Sequence, residues 1–182
     1  MKTLNVENVA PLGLECGEVP LWVPEEGLIY FTDTENRALY TLDPENHMVR
    51  TIPVPFQFQC IARREKGGWI GTAPRGVVLW EPSDDSCRYI GNPVQGETGL
   101  LFNDGTVTPG GDFIYGVYDV ENLYEPNGSL YLVDSDFTIT LLEPGFAIPN
   151  GMAFSPEGTA FYLSEQFGRR VWRFDWDRKA KK

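Results

Sequence analysis

Three short stretches place oxygen-bearing side chains in one setting, the opening of an apolar strand: Gly17-Glu18-Val19-Pro20, Phe102-Asn103-Asp104-Gly105 and Pro149-Asn150-Gly151. Carboxylate and amide oxygens suit hard cations such as Ca²⁺, Mg²⁺ or Mn²⁺. An acid entering an apolar strand is costly to bury unless it is paired or metal-bound, which draws attention to Glu18. A plain loop-facing Glu is the competing reading. Asn and Gly also form turns, and Asn tolerates a left-handed backbone, so turn formation alone would account for Asn103 and Asn150. The single histidine, His47, sits in the turn Pro44-Glu45-Asn46-His47. A lone surface histidine excludes the histidine-dependent Ser and Cys triads. Cys16, Cys60 and Cys87 are odd in number and far apart, with no Cys-x-x-Cys. A zinc knuckle or redox motif is therefore not indicated.

The elements that must position these residues recur along the chain. Each unit opens with a short apolar strand and a Pro-x-Gly or Gly-Gly turn, then a nearly all-apolar strand. It ends on an aromatic-rich strand closed by an acid: Leu39-Tyr40-Thr41-Leu42-Asp43, Val77-Val78-Leu79-Trp80-Glu81, Leu130-Tyr131-Leu132-Val133-Asp134 and Val171-Trp172-Arg173-Phe174-Asp175. The spacing averages roughly 40–45 residues, the period of a four-stranded propeller blade. The sequence therefore predicts an all-β chain, a single incomplete β-propeller domain over 1–182 with repeats at about 18–55, 58–93, 102–144 and 149–177. The third repeat is expected to open at Asn103-Asp104-Gly105 and to be interrupted by a polar loop from Asp119 to Asn127. The fourth opens at Asn150-Gly151 and ends at Asp175 with its third strand; the tail from Trp176 to Lys182 shows no outer strand. A propeller puts its chemistry at one mouth of a channel, so equivalent repeat positions converge.

A net charge of -11 argues against nucleic acid or an anionic membrane as partner. The N-terminus lacks the apolar stretch of a signal peptide, and no run approaches the length of a membrane span. Buried or idle thiols and these absences point to the cytoplasm. An open arc of blades exposes faces and strand edges, so self-association is expected.

The three motifs, extended to Gly17-Glu18-Val19-Pro20-Leu21-Trp22, Phe102-Asn103-Asp104-Gly105-Thr106-Val107 and Ile148-Pro149-Asn150-Gly151-Met152-Ala153-Phe154-Ser155-Pro156, resemble the SMP-30/gluconolactonase/regucalcin family of sugar lactonases. The resemblance runs from about Leu12 to Asp177. It implies a β-propeller of the six-bladed type, here truncated to about four blades, and hydrolysis of a sugar lactone by metal-activated water. It implies one divalent ion (Ca²⁺, Mg²⁺, Mn²⁺ or Zn²⁺), with Glu18 and Asn150 matching two of the family's ligands. The third ligand, an Asp that also serves as general base, belongs to a fifth blade that this chain does not contain, so no catalytic residue is assigned. Losing a general base typically lowers rates ~10²–10⁴-fold. Asn103 and Glu121 match substrate-facing positions, while the family's Arg is Leu101 here. The alternative implied by these departures is a non-catalytic calcium-binding or interaction propeller, or an inactive fragment. A strictosidine-synthase-like or arylesterase-like propeller is disfavoured by the Phe102 to Gly105 motif.

Overall fold

The computed structural model describes residues 5–177, and every regular element among them is a β-strand. The chain divides into two compact units, the first ending at Gln57 and the second beginning at Phe58. The first unit holds one antiparallel sheet in sequence order: β1 (Gly17–Val23), β2 (Leu28–Asp33), β3 (Ala38–Leu42) and β4 (Val49–Pro53). The second unit holds three. One runs β5 (Cys60–Arg63), β6 (Trp69–Ala73), β7 (Gly76–Glu81), β8 (Ser86–Gly91); the next β9 (Leu100–Val107), β10 (Phe113–Asp119), β11 (Gly128–Val133), β12 (Ile139–Phe146); the last β13 (Pro149–Phe154), β14 (Ala160–Glu165), β15 (Arg170–Asp175).

Local chemistry explains this up-and-down order. Val23-Pro24-Glu25-Glu26-Gly27 closes on itself, with Gly27 N–H donating to Pro24 O at 3.3 Å. Ser155-Pro156-Glu157-Gly158 does the same through Gly158 N–H to Ser155 O at 2.8 Å. Tight reversals of this kind join only antiparallel neighbours. The strands between them are graded in burial. Every residue of β6 is buried and all but the last of β7, whereas no residue of the outer strands β4 and β8 is buried. A meander with a doubly covered middle and a wet outer edge is a propeller blade. The expected all-β, β-propeller class is thus what the chain adopts.

In the second unit, successive sheets meet through their first strands: β5 and β6 touch β9, and β9, β10 and β11 touch β13. The seam between the last two sheets is filled by Ile114, Leu130, Leu132, Phe146, Met152, Phe161, Leu163 and Trp176. Two boundaries differ from the sequence reading. The third repeat opens at Leu100, before Asn103, because Leu100 and Leu101 still pair with Asp119 and Tyr118. Correspondingly, β10 runs on to Asp119, so the loop starts one residue later. Trp176 and Asp177 carry no strand, and 178–182 lie outside the described residues. No helix among the described residues is long and apolar enough to cross a membrane.

Candidate functional site

The opening strands of three sheets share an irregularity that the sequence does not announce. In β1, Glu18 pairs with Thr32 and Leu21 with Tyr30, so Val19 and Pro20 together face Phe31. In β13, Asn150 pairs with Ser164 and Ala153 with Tyr162, so Gly151 and Met152 face Leu163. In β9, Phe102 pairs with Val117 and Gly105 with Tyr115, so Asn103 and Asp104 face Gly116. Each is a bulge of one extra residue, a device that bends a strand and re-aims its side chains. Glu18 and Asn150 therefore hold the same place in their sheets, immediately before the bulge. Each is followed by a left-handed residue, Val19 at φ 54° and Gly151 at φ 55°. Glycine adopts that conformation freely; a β-branched residue there is strained.

Behind each of these two positions stands a buried carboxylate at the end of the second strand. Asp33, opposite Gly17, accepts the N–H groups of Glu15 at 3.1 Å and Cys16 at 3.2 Å and the side-chain amide of Asn36 at 2.8 Å. Burial alone would raise its pKa; the hydrogen bonds, led by Asn36, outweigh that and hold it below the usual carboxylate value. Glu165, opposite Pro149, accepts Ala147 N–H at 3.0 Å and Trp172 Nε1–H at 2.7 Å and pairs with Arg170 at 3.0 Å. Both acids pin the chain just before the opening strand, and neither was singled out by the sequence reading. The available signal was an apolar second strand ending on an acid.

Within the second unit the bulges of β9 and β13 are stitched together. Asn103 Nδ2 donates to Pro149 O at 2.9 Å, and Asp104 Oδ2 accepts Gly151 N–H at 2.8 Å. The Asn103 carbonyl in turn accepts Thr72 Oγ1 from β6 at 3.5 Å. Asn103 and Asn150, both half-buried, thus lie on adjoining strands. Asn150 is oriented by Gln166, whose Oε1 accepts its Nδ2 at 3.0 Å, and its Oδ1 accepts Gly151 N–H at 2.9 Å. An amide oxygen has two lone pairs, so one remains for a ligand.

Glu121 is exposed in the loop after β10. That loop is wound around Asp119, which accepts the side-chain amides of Asn122 at 3.0 Å and Asn127 at 2.8 Å and the N–H of Glu121 at 2.9 Å. The Asn127 and Asn122 amides hold the Asp119 carboxyl below its ordinary pKa. The Glu121 side chain lies over Gly99, where an added Cβ would stand 3.2 Å from it. Glu121 therefore sits at the end of its sheet where β9 begins. Leu101, at the same end, is 42% exposed and offers an apolar surface in place of a hydrogen-bond donor. In the first unit, Glu18 is half-buried and accepts the Cys16 thiol at 3.8 Å.

Among the described residues no group of three or more His, Cys, Asp and Glu side chains could hold a metal ion. The donors at the two bulges, a carboxylate and an amide oxygen, nonetheless fit a hard cation in kind. His47 is exposed in its turn.

The fold and these motifs place the chain among known proteins. It belongs to the SMP-30/gluconolactonase/LRE-like family, whose model matches residues 16–182. It is 29% identical to 6-deoxy-6-sulfogluconolactonase of Pseudomonas putida over 88% of this chain and 55% of that protein. It is also 29% identical to pentonolactonase XacC of Haloferax volcanii, over 97% of this chain and 59% of that protein. Among solved structures, the calcium-binding protein regucalcin of Agrobacterium tumefaciens superposes with a TM-score of 0.82 at 22% identity, covering 94% of this chain and 57% of that one. The chain thus spans less than two thirds of the length of these relatives.

Proposed function

We propose that this chain serves the hydrolysis of a sugar lactone with the aid of one divalent cation, for which Glu18 and Asn150 supply oxygen ligands. The observation that carries this reading is the shared bulge: a carboxylate and an amide oxygen at one register position, each set by a kink that a plain strand would not need. The lactonase relatives support the substrate class. A divalent cation, when bound, polarises a ring carbonyl and lowers the pKa of a bound water. Glu18 and Asn150 contribute hard donors, and most of the shell of about six to eight oxygens that Ca²⁺ takes would come from elsewhere.

The chain's own side chains would then handle the sugar. Asn103 spends one N–H of its amide on Pro149 and keeps Oδ1 as an acceptor for a substrate hydroxyl. Glu121, presented by the Asp119-centred loop, accepts a second hydroxyl. Leu101 favours a lactone that offers an apolar face or a smaller hydroxylated arm there. No residue of the chain is assigned the part of general base. A pH-indicator assay on gluconolactone tests the reading. Acid release above the spontaneous rate that vanishes with chelator and returns with Ca²⁺ or Mn²⁺ is expected; a rate indifferent to chelator rejects the cation's part.

A further inference from the structure

We infer that Asp104 is a positioning residue that keeps the Asn150 oxygen available to a ligand. Its carboxylate reaches from the bulge of β9 to that of β13. Oδ1 accepts Gly105 N–H at 2.8 Å, and Oδ2 accepts Gly151 N–H at 2.8 Å and, more weakly, Met152 N–H at 3.4 Å. Gly151 and Met152 are the bulged residues of β13, whose N–H groups a bulge takes out of the regular ladder. Met152 is buried and Gly151 exposed, so an acceptor matters most for the Met152 N–H, which would be costly to leave unpaired, and an ionised acceptor makes a stronger bond than a neutral one.

The Gly151 N–H is shared. It donates to Asp104 Oδ2 at 2.8 Å and to the neighbouring Asn150 Oδ1 at 2.9 Å. Asp104 and the Asn150 amide therefore compete for one proton. With the carboxylate present, the hydrogen bond is drawn away from Asn150 Oδ1. Without it, that oxygen is the remaining acceptor of this N–H among the described residues, which favours turning it inward, toward its own backbone. Asn103 fixes the preceding peptide through Pro149 O at 2.9 Å. The backbone is thus held from β9 on both sides of Asn150, and the left-handed turn at Gly151 is kept in place. Asp104 is half-buried and acts on the ligand oxygen only through this backbone.

The inference rests on Asn150 being a cation ligand, so the test separates the two. Mn²⁺ binding is titrated calorimetrically for the parent protein, Asp104→Ala, Asp104→Asn and Asn150→Ala, and amide exchange of Gly151 and Met152 is followed by NMR. Partners that orient a ligand are typically worth about 10–100-fold in metal affinity. Asp104→Ala is expected at the lower end of that range, with faster exchange at Gly151 and Met152 and unchanged exchange in β6 and β7. Asp104→Asn, which keeps a neutral acceptor, falls between. Faster exchange with unchanged Mn²⁺ affinity overturns the positioning role, as does unchanged exchange. If Asn150→Ala binds Mn²⁺ like the parent, the ligand assignment has failed, and the Asp104 role with it. Should Asp104→Ala not fold, the Asp104→Asn protein carries the same comparison.

Discussion

Asn103 donates its side-chain N–H to the carbonyl of Pro149 at 2.9 Å, so a residue expected to face substrate is also a tie between two sheets. The two parts are separable because they use different atoms. Asn103→Ala is expected to lose about 1 kcal/mol of stability, the net worth of an ordinary hydrogen bond, and to raise KM more than it lowers kcat. Asn103→Asp keeps an acceptor but not the donor, so it loses the stability while KM stays nearer the parent. Denaturant unfolding and steady-state lactone kinetics on both variants check this.

The kinks beside Glu18 and Asn150 make opposite forecasts. At Gly151, φ is 55° and an added Cβ would stand 3.0 Å from Ser164 Oγ. Gly151→Ala is expected to cost about 1–2 kcal/mol and to weaken cation binding by disturbing Asn150. Val19 holds the same conformation with a branched side chain at φ 54°. Val19→Gly relieves that strain but adds unfolded-state entropy, for a net gain of about 1 kcal/mol. Thermal unfolding of the two variants should move in opposite directions; a drop in both contradicts the equivalence of the two bulges.

The repeat was legible in the sequence because blade strands obey simple rules. Apolar second strands such as Leu28–Asp33 and aromatic third strands such as Ala38–Leu42 are bounded by Pro and Gly turns, and their ends fell within a residue or so of expectation. The bulges were not legible. One extra residue leaves no mark on a period-2 pattern that is already loose, and a valine at Val19 gives no hint of a left-handed backbone. Asn150-Gly151 carried such a hint, but an identical pair would mark an ordinary turn. The partners of the site were also hidden. That Asp104 reaches Gly151, 47 positions away, depends on how two sheets meet, which no local pattern encodes.

Acid stability should carry the signature of Asp33. This carboxylate is 1% exposed and its pKa is lowered from the ordinary 3.8. A depressed folded value means that the group stabilises the protein fully above the unfolded pKa, and that this contribution is lost as pH falls through the folded one. Asp33→Asn removes the charge-assisted acceptor of Glu15 and Cys16 N–H, so it should lower stability at neutral pH and flatten the fall below about pH 4. Urea midpoints from pH 7 down to the acid transition measure it. Parallel curves for the two proteins are the contrary outcome.

Tyr115 is fully buried and stacks on Tyr131 with ring centroids 5.7 Å apart, yet its hydroxyl meets no hydrogen-bond partner among the described residues. Burial pushes its pKa upward, so it stays neutral at any ordinary pH. A buried donor without an acceptor costs about 1–3 kcal/mol relative to a paired one. Tyr115→Phe keeps the ring and is expected to be neutral or to raise stability by about 1 kcal/mol. A large destabilisation on denaturant unfolding would show that the hydroxyl is satisfied in solution.

Calorimetric titration of Mn²⁺ into the parent protein, Glu18→Gln and Asn150→Ala bears most directly on the reading of the two bulges as cation ligands. Glu18→Gln removes a charge without changing shape, and Asn150→Ala removes the amide oxygen. Each removes a ligating group and should weaken binding at least as much as the roughly 10–100-fold that loss of an outer-shell partner costs. Superimposable isotherms for all three proteins would leave the bulges as features of the backbone alone.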